Sequence, residues 1–272
     1  MVSFFKRAGA RYVPTELASS PWAAGQVSGT ALCGLLARQA ETHDPGTGFI
    51  PGRFTVDLFR PVVAEPIELR SEVVRDGSRV RVVDVSIMQR EQLRVRATLM
   101  YLSVSAQSPG QVWQPVRQLP VPEQGEWNPL RFKSGELEWT GDLTAGMNGE
   151  RKCVWHDVVP LVEGEVNSPF QMAAYVADTT NLVCNWGTDG IGYINCDTTL
   201  AISRLPVGSE IGLQAQEHLA TGGVAIAAAT LYDRSGPLGV CVATGVSNVR
   251  RVDPASYAAE VAASADEAAL NS

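Results

Sequence analysis

Few residues in this chain are of types that do chemistry, and most of them exclude a reaction. Five cysteines (Cys33, Cys153, Cys184, Cys196 and Cys241) are odd in number, widely scattered and without a CxxC pair. That usage fits reduced, mostly buried thiols and not a disulfide frame. The three histidines, His43, His156 and His218, lie at no metal-ligand spacing from one another or from a cysteine. No metal site and no cofactor are expected, and neither Cys33 nor Cys184 has a histidine placed to activate it as a nucleophile. One carboxylate stands apart. Asp178 falls within a helix-like run from Gln171 to Trp186 (QMAAYVADTTNLVCNW) that is otherwise full of Ala, Val and Thr. An acid on an apolar helix needs a reason, because burial penalises its charged form and so makes it a stronger base. Arg79, Arg81, Arg94 and Arg96 alternate with valines and a leucine on two strands, which reads as an exposed strand face, with contact to phosphate groups as the alternative.

Elements must position that acid, and they occur twice. A helix over Gly25–Glu41 is followed by strands near Gly52–Arg60, Ile67–Arg75, Arg79–Gln89 and Leu93–Ser103, with Asp76-Gly77 as a hairpin signal. The helix over Gln171–Trp186 is followed by strands near Tyr193–Arg204, Glu210–Leu219, Gly223–Asp233 and Leu238–Val249. A shift of 144 residues lays Gly48–Ser103 over Gly192–Ser247 without a gap, giving ten identities in 56 pairs and matching turns. Upstream, Ser20-Pro21-Trp22 matches Ser168-Pro169-Phe170 after a four-residue slip. The chain reads as an internal duplication. A helix with one curved antiparallel sheet buries one sheet face around the helix, and two such units side by side extend the sheet. That arrangement is the hotdog fold.

Composition agrees. At 272 residues, 45% of them hydrophobic and 19% charged, the chain can bury a substantial core, which excludes wholesale disorder, collagen and coiled coil. With 22 Lys+Arg against 29 Asp+Glu the net charge is −7, a poor basis for nucleic-acid or anionic-membrane binding. No apolar run approaches the roughly 18 residues that span a bilayer. Met1 to Arg7 lacks the apolar core of a signal peptide, so a soluble cytoplasmic protein is expected. The expected layout is an N-terminal unit over 1–104, a proline-rich connecting segment over 105–152 carrying Trp113, Trp127 and Trp139 packed on the surface, a C-terminal unit over 153–252, and an Ala-rich acidic tail over 253–272, as a frayed helix or disordered.

Several stretches carry a family likeness. They are Arg75-Asp76-Gly77-Ser78 continuing through Met88-Gln89 to Ala97-Thr98, then Tyr12-Val13-Pro14-Thr15, Ser20-Pro21-Trp22 and Leu35-Leu36-Ala37-Arg38, and in the second half Val154-Trp155 and Ala177-Asp178. The chain resembles the double-hotdog acyl-CoA thioesterases, the bacterial thioesterase II type. The resemblance implies an α+β double hotdog that hydrolyses acyl-CoA thioesters and associates as a homodimer or larger homo-oligomer. In that family hydrolysis is ascribed to an Asp on the second helix, a Thr or Ser on the following strand and a Gln on the last strand. Asp178 takes the first place, the second falls on Asn195, and the third, with one gap at Ser235-Gly236, falls on Thr244. Two of three positions therefore depart in type. Ser28-Gly29-Thr30 stand where relatives often carry His-Gly-Gly, and are expected to contact substrate, with backbone N–H groups for an oxyanion. The departures motivate a second reading, a non-catalytic acyl-CoA-binding or scaffold protein. A hotdog hydratase is disfavoured, since no paired Asp and His motif stands at either helix entry.

Overall fold

A computed structural model describes residues 2–125 and 128–254. Trp127 and the tail beyond residue 254, with the expectations attached to them, lie outside the described residues.

The first unit opens on a small hairpin, β1 (Phe5–Ala8) and β2 (Arg11–Pro14), and then α1 (Gly29–Ala40). Ser28 is the N-cap of α1, its hydroxyl accepting from the Ala31 N–H at 3.3 Å. That cap starts the helix four residues later than the apolar spacing alone predicts. Ala31 to Ala37 are all buried, because the helix is surrounded and not laid on a surface. Four antiparallel strands follow: β3 (Phe49–Leu58), β4 (Glu68–Asp76), β5 (Val80–Gln89) and β6 (Gln92–Ser103). Strand β5 alternates buried Val83, Val85 and Ile87 with less buried residues, and this inner row packs toward α1. The β4–β5 turn falls at Gly77, whose N–H donates to the Val80 carbonyl at 3.1 Å.

The connecting segment supplies β7 (Arg131–Ser134), and the second unit begins at β8 (Lys152–Asp157). Its helix is broken in two, α2 (Pro169–Ala177) and α3 (Thr180–Asn185), where the sequence predicts one run. A capping box between Ser168 and Gln171 starts α2, with Pro169 in the first turn. Ser168 is therefore the counterpart of Ser28 as a helix cap; Ser20, eight residues ahead of Ser28, belongs to the preceding loop. The strands are β9 (Trp186–Gly187), β10 (Gly190–Asn195), β11 (Asp197–Ile202), β12 (Glu210–Thr221), β13 (Val224–Asp233) and β14 (Gly236–Val252). The single strand predicted over Tyr193–Arg204 is interrupted at Cys196, which leaves β10 and β11 both paired to β14.

All the strands except the first hairpin join one antiparallel sheet, in the order β4-β5-β6-β3-β11-β14-β13-β12-β8-β7, with β9 and β10 off that path. The two units meet where β3 pairs with β11, and Thr55 lies opposite Thr199. Those two residues are 144 apart and identical, so each half presents the same strand to the other. The register shows the relation directly: Val56 faces Thr198, and their counterparts Leu200 and Phe54 also face each other. Internal two-fold symmetry is thus built into the seam. Inside the sheet, α1 and α2 pack antiparallel and are tied at both ends. At one end Ser168 Oγ and Gln171 Nε2 donate to the Glu41 carboxylate, each at 2.7 Å; at the other Thr30 Oγ1 donates to Asp178.

Candidate active site

Asp178 lies at the break between α2 and α3. The break has a local cause. Thr179 and Thr180 turn their hydroxyls back onto the carbonyls of Val176 and Ala177, each at 2.7 Å, a bond that competes with regular helix. Three neutral donors hold the carboxylate. Asn195 Nδ2 and Thr198 Oγ1 donate to Oδ1 at 2.9 and 3.2 Å, and Thr30 Oγ1 donates to Oδ2 at 3.1 Å. Among the described residues no cation pairs with it. Burial pushes its pKa up, and the bonds from Thr30, Asn195 and Thr198 oppose that rise without cancelling it. The result is a dehydrated carboxylate with spare lone pairs and enhanced basicity.

Each neighbour arrives by an irregularity. In a regular strand residues three apart face opposite sides, so Asn195 and Thr198 would not both reach one acid. The interruption at Cys196 adds the residue that turns both inward. From the other unit, Gly29 and Thr30 form the first turn of α1, beside the carboxylate. A Cβ on Gly29 would lie 2.7 Å from Asp178 Oδ2, so only glycine lets the helix start approach this closely. The Gly29 and Thr30 N–H groups have no acceptor within the helix, as first-turn groups do not.

These residues open onto a cavity of about 950 Å³ between the units. Its walls are mostly apolar: Phe4, Leu17, Trp22 and Val62 from the first unit, with Tyr175, Leu182 and Ile191 from the second. The connecting segment contributes Asn128, Pro129, Leu130 and Leu143, so part of it is cavity wall and not only a strap. His156 also lines the cavity, its Nε2 3.2 Å from Thr179 Oγ1. Burial lowers its pKa to about 4, which keeps it neutral at pH 7. Cys33, one turn beyond Gly29, has its pKa raised well above normal by burial and then by the Asp178 charge, so it is no thiolate nucleophile.

Of the residues singled out from the sequence, Asp178, Asn195, Gly29 and Thr30 come together. Ser28 lines the cavity as the cap of α1. Thr244 is not brought to Asp178: its N–H and hydroxyl both donate to Asp197 Oδ1, at 2.6 and 2.7 Å, bracing the strand interruption. Thr198 was missed by the sequence reading. Its signal was a threonine on the strand after the acid-bearing helix, hidden because strict alternation from Asn195 skips it.

Comparison with known proteins fits this geometry. The family model for the acyl-CoA thioesterase N-terminal domain matches residues 18–102, and that for the acyl-CoA thioesterase C-terminal domain matches residues 105–246. The chain belongs to the acyl-CoA thioesterase family. The C-terminal model takes in the connecting segment, in keeping with the wall that segment contributes to the cavity. Among solved structures, the chain is similar to the tesB protein of Mycobacterium avium subspecies paratuberculosis, with 18% identity, a TM-score of 0.65, and 90% of this chain and 95% of that one covered. It is similar to an acyl-CoA thioesterase II of Mycobacterium marinum at 15% identity and a TM-score of 0.60, covering 81% and 90%. A hotdog-fold protein of unknown function from Alicyclobacillus acidocaldarius gives 13% identity and a TM-score of 0.65, covering 90% and 96%. At such identities the likeness speaks for fold alone, and the fold is the α+β double hotdog. No curated protein matches the chain. Among the described residues no helix is long and apolar enough to cross a membrane.

Proposed function

We propose that this thioesterase-family protein hydrolyses acyl-CoA thioesters, with Asp178 as general base. The observation that carries the reading is a buried carboxylate at the wall of an apolar cavity, held by three neutral donors from both units and without an ion-pair partner among the described residues. Acyl chains suit such walls. A water beside Asp178 gives a proton to the carboxylate as its oxygen bonds to the thioester carbon. The carbonyl electron pair moves onto oxygen, where the unpartnered N–H groups of Gly29 and Thr30 are suited to receive it. On collapse the C–S bond breaks, and the proton held by Asp178 goes to the departing sulfur. Thr198 then serves as the threonine on the following strand, and Asn195 as a second donor that holds the acid in place. Thr244 braces Asp197 and takes no part in the chemistry.

General-base loss costs roughly 10²–10⁴ in rate. The test is thiol release from a panel of acyl-CoA chain lengths by the wild type and Asp178→Asn, with ligand binding measured in parallel. Turnover that falls by about that factor in the variant supports the reading. Wild type that binds acyl-CoA without turnover would favour the non-catalytic binding protein, the reading that Asn195 and Thr244 in place of the usual partners motivates.

A further inference from the structure

The duplication places one arginine at the same point of each half, and only one of the two has an acid. At the 144-residue spacing Arg60 matches Arg204, and Gln89 matches Asp233. The local frame is conserved between the halves. Val63 N–H donates to Gln89 Oε1 at 3.0 Å, and its counterpart Val207 N–H donates to Asp233 Oδ2 at 2.9 Å. Both arginines also reach the matched turn, Arg60 to Gln92 Oε1 at 3.3 Å and Arg204 to the Gly236 carbonyl at 2.8 Å. The difference is charge. Arg204 forks onto the fully buried Asp233 carboxylate at 2.8 and 2.7 Å. Gln89 is neutral and spends its amide on the carbonyls of Val63 and Glu65. Among the described residues Arg60 therefore has no acidic partner.

Arg60 also lies where a cation has a use. It lines the cavity that holds Asp178, beside Phe59 and Pro61, whereas Arg204 does not. Its N–H donates to the carbonyl of Arg94 at 3.0 Å across the strand ends. Arg94 likewise has no ion pair among the described residues, and its Nε is buried without a hydrogen-bond partner. The third arginine of the group, Arg96, is engaged by Asp57 at 2.8 Å and by the Phe59 ring. The two residues meet through their backbones, and neither guanidinium has an acidic partner among the described residues.

We propose that Arg60 receives a phosphate at the nucleotide end of coenzyme A, while the acyl thioester lies toward Asp178. The inference rests on the acyl-CoA reading and names the group that anchors the carrier. A guanidinium fork matches phosphate oxygens in geometry and charge. The locked state of Arg204 explains why a duplicated molecule has one such site and not two.

The test is calorimetric binding of CoA and of dephospho-CoA to wild type, Arg60→Gln and Arg60→Lys, together with the kcat/KM ratio for acyl-CoA over the same acyl-pantetheine. Arg60→Gln is expected to weaken CoA binding about tenfold and to lower that ratio by a similar factor, with Arg60→Lys between. Loss confined to CoA places the 3′-phosphate at Arg60, and equal loss for dephospho-CoA places the diphosphate there. Unchanged CoA affinity, or an equal loss toward acyl-pantetheine, would overturn the phosphate site while leaving hydrolysis standing. CoA binding that depends on Arg60 in a protein that releases no thiol would instead sink hydrolysis and leave the site.

Discussion

Asp178 is buried beside neutral donors, with no cation paired to it among the described residues, and its chemistry follows from that imbalance. Its pKa is raised by burial, so the carboxylate must lose its proton at a pH above the usual aspartate value of about 3.9 before it can act as a base. The acid limb of kcat/KM is therefore expected to have its midpoint above that value. Thr198→Val removes one of the donors that hold the pKa down, so a pH–rate profile should show the limb moving further up; a shift downward would contradict the assignment. Gly29→Ala places a methyl group against Oδ2 at 2.7 Å. Because the buried carboxylate must then shift from its donors, a fall in kcat/KM of about tenfold or more is expected, accompanied by a lower melting temperature. The acid itself was legible, because a carboxylate on an apolar helix is conspicuous in any sequence. Thr198 was not, since its approach depends on a strand interruption that composition does not mark.

At the scale of elements, both breaks that build the site fall where the sequence reads as continuous. The run Gln171–Trp186 is apolar on every turn, and nothing in it forbids one helix; Thr179 and Thr180 break it only by choosing their own backbone as partner. Likewise Tyr193–Arg204 has strand-like residues throughout, and the Thr244–Asp197 bonds that brace its interruption join residues 47 apart. The β5–β6 turn, by contrast, falls in the gap the sequence leaves between Gln89 and Leu93. Arg90 and Glu91 both have positive φ, 51° and 59°, in a two-residue loop that glycine or asparagine would favour. Glu91→Gly is expected to stabilise the protein by about 1 kcal/mol, the reverse of the usual glycine cost, as read from a urea midpoint at constant slope. Destabilisation would show that Glu91 contributes contacts that outweigh its strain.

At the scale of the whole molecule, the duplication and the single sheet were both legible, because a 144-residue period survives in turns and strand lengths even where identities are few. The seam was not. Which strands join the halves is decided by exposed edges, and the pairing of β3 with β11 became visible only in the register around Thr55 and Thr199. Since that seam, the paired helices and the cavity are shared, the halves should unfold together. Tryptophan fluorescence and far-ultraviolet circular dichroism are expected to give one coincident denaturant transition, and two separated transitions would mean independent units. The central claim is that the buried carboxylate between the halves is a base for thioester hydrolysis. Thiol release from acyl-CoA by the purified full chain, wild type against Asp178→Asn at matched folding, tests it most directly. The account expects turnover by the wild type and a loss of roughly 10²–10⁴ in the variant. Equal turnover by the two proteins would contradict it.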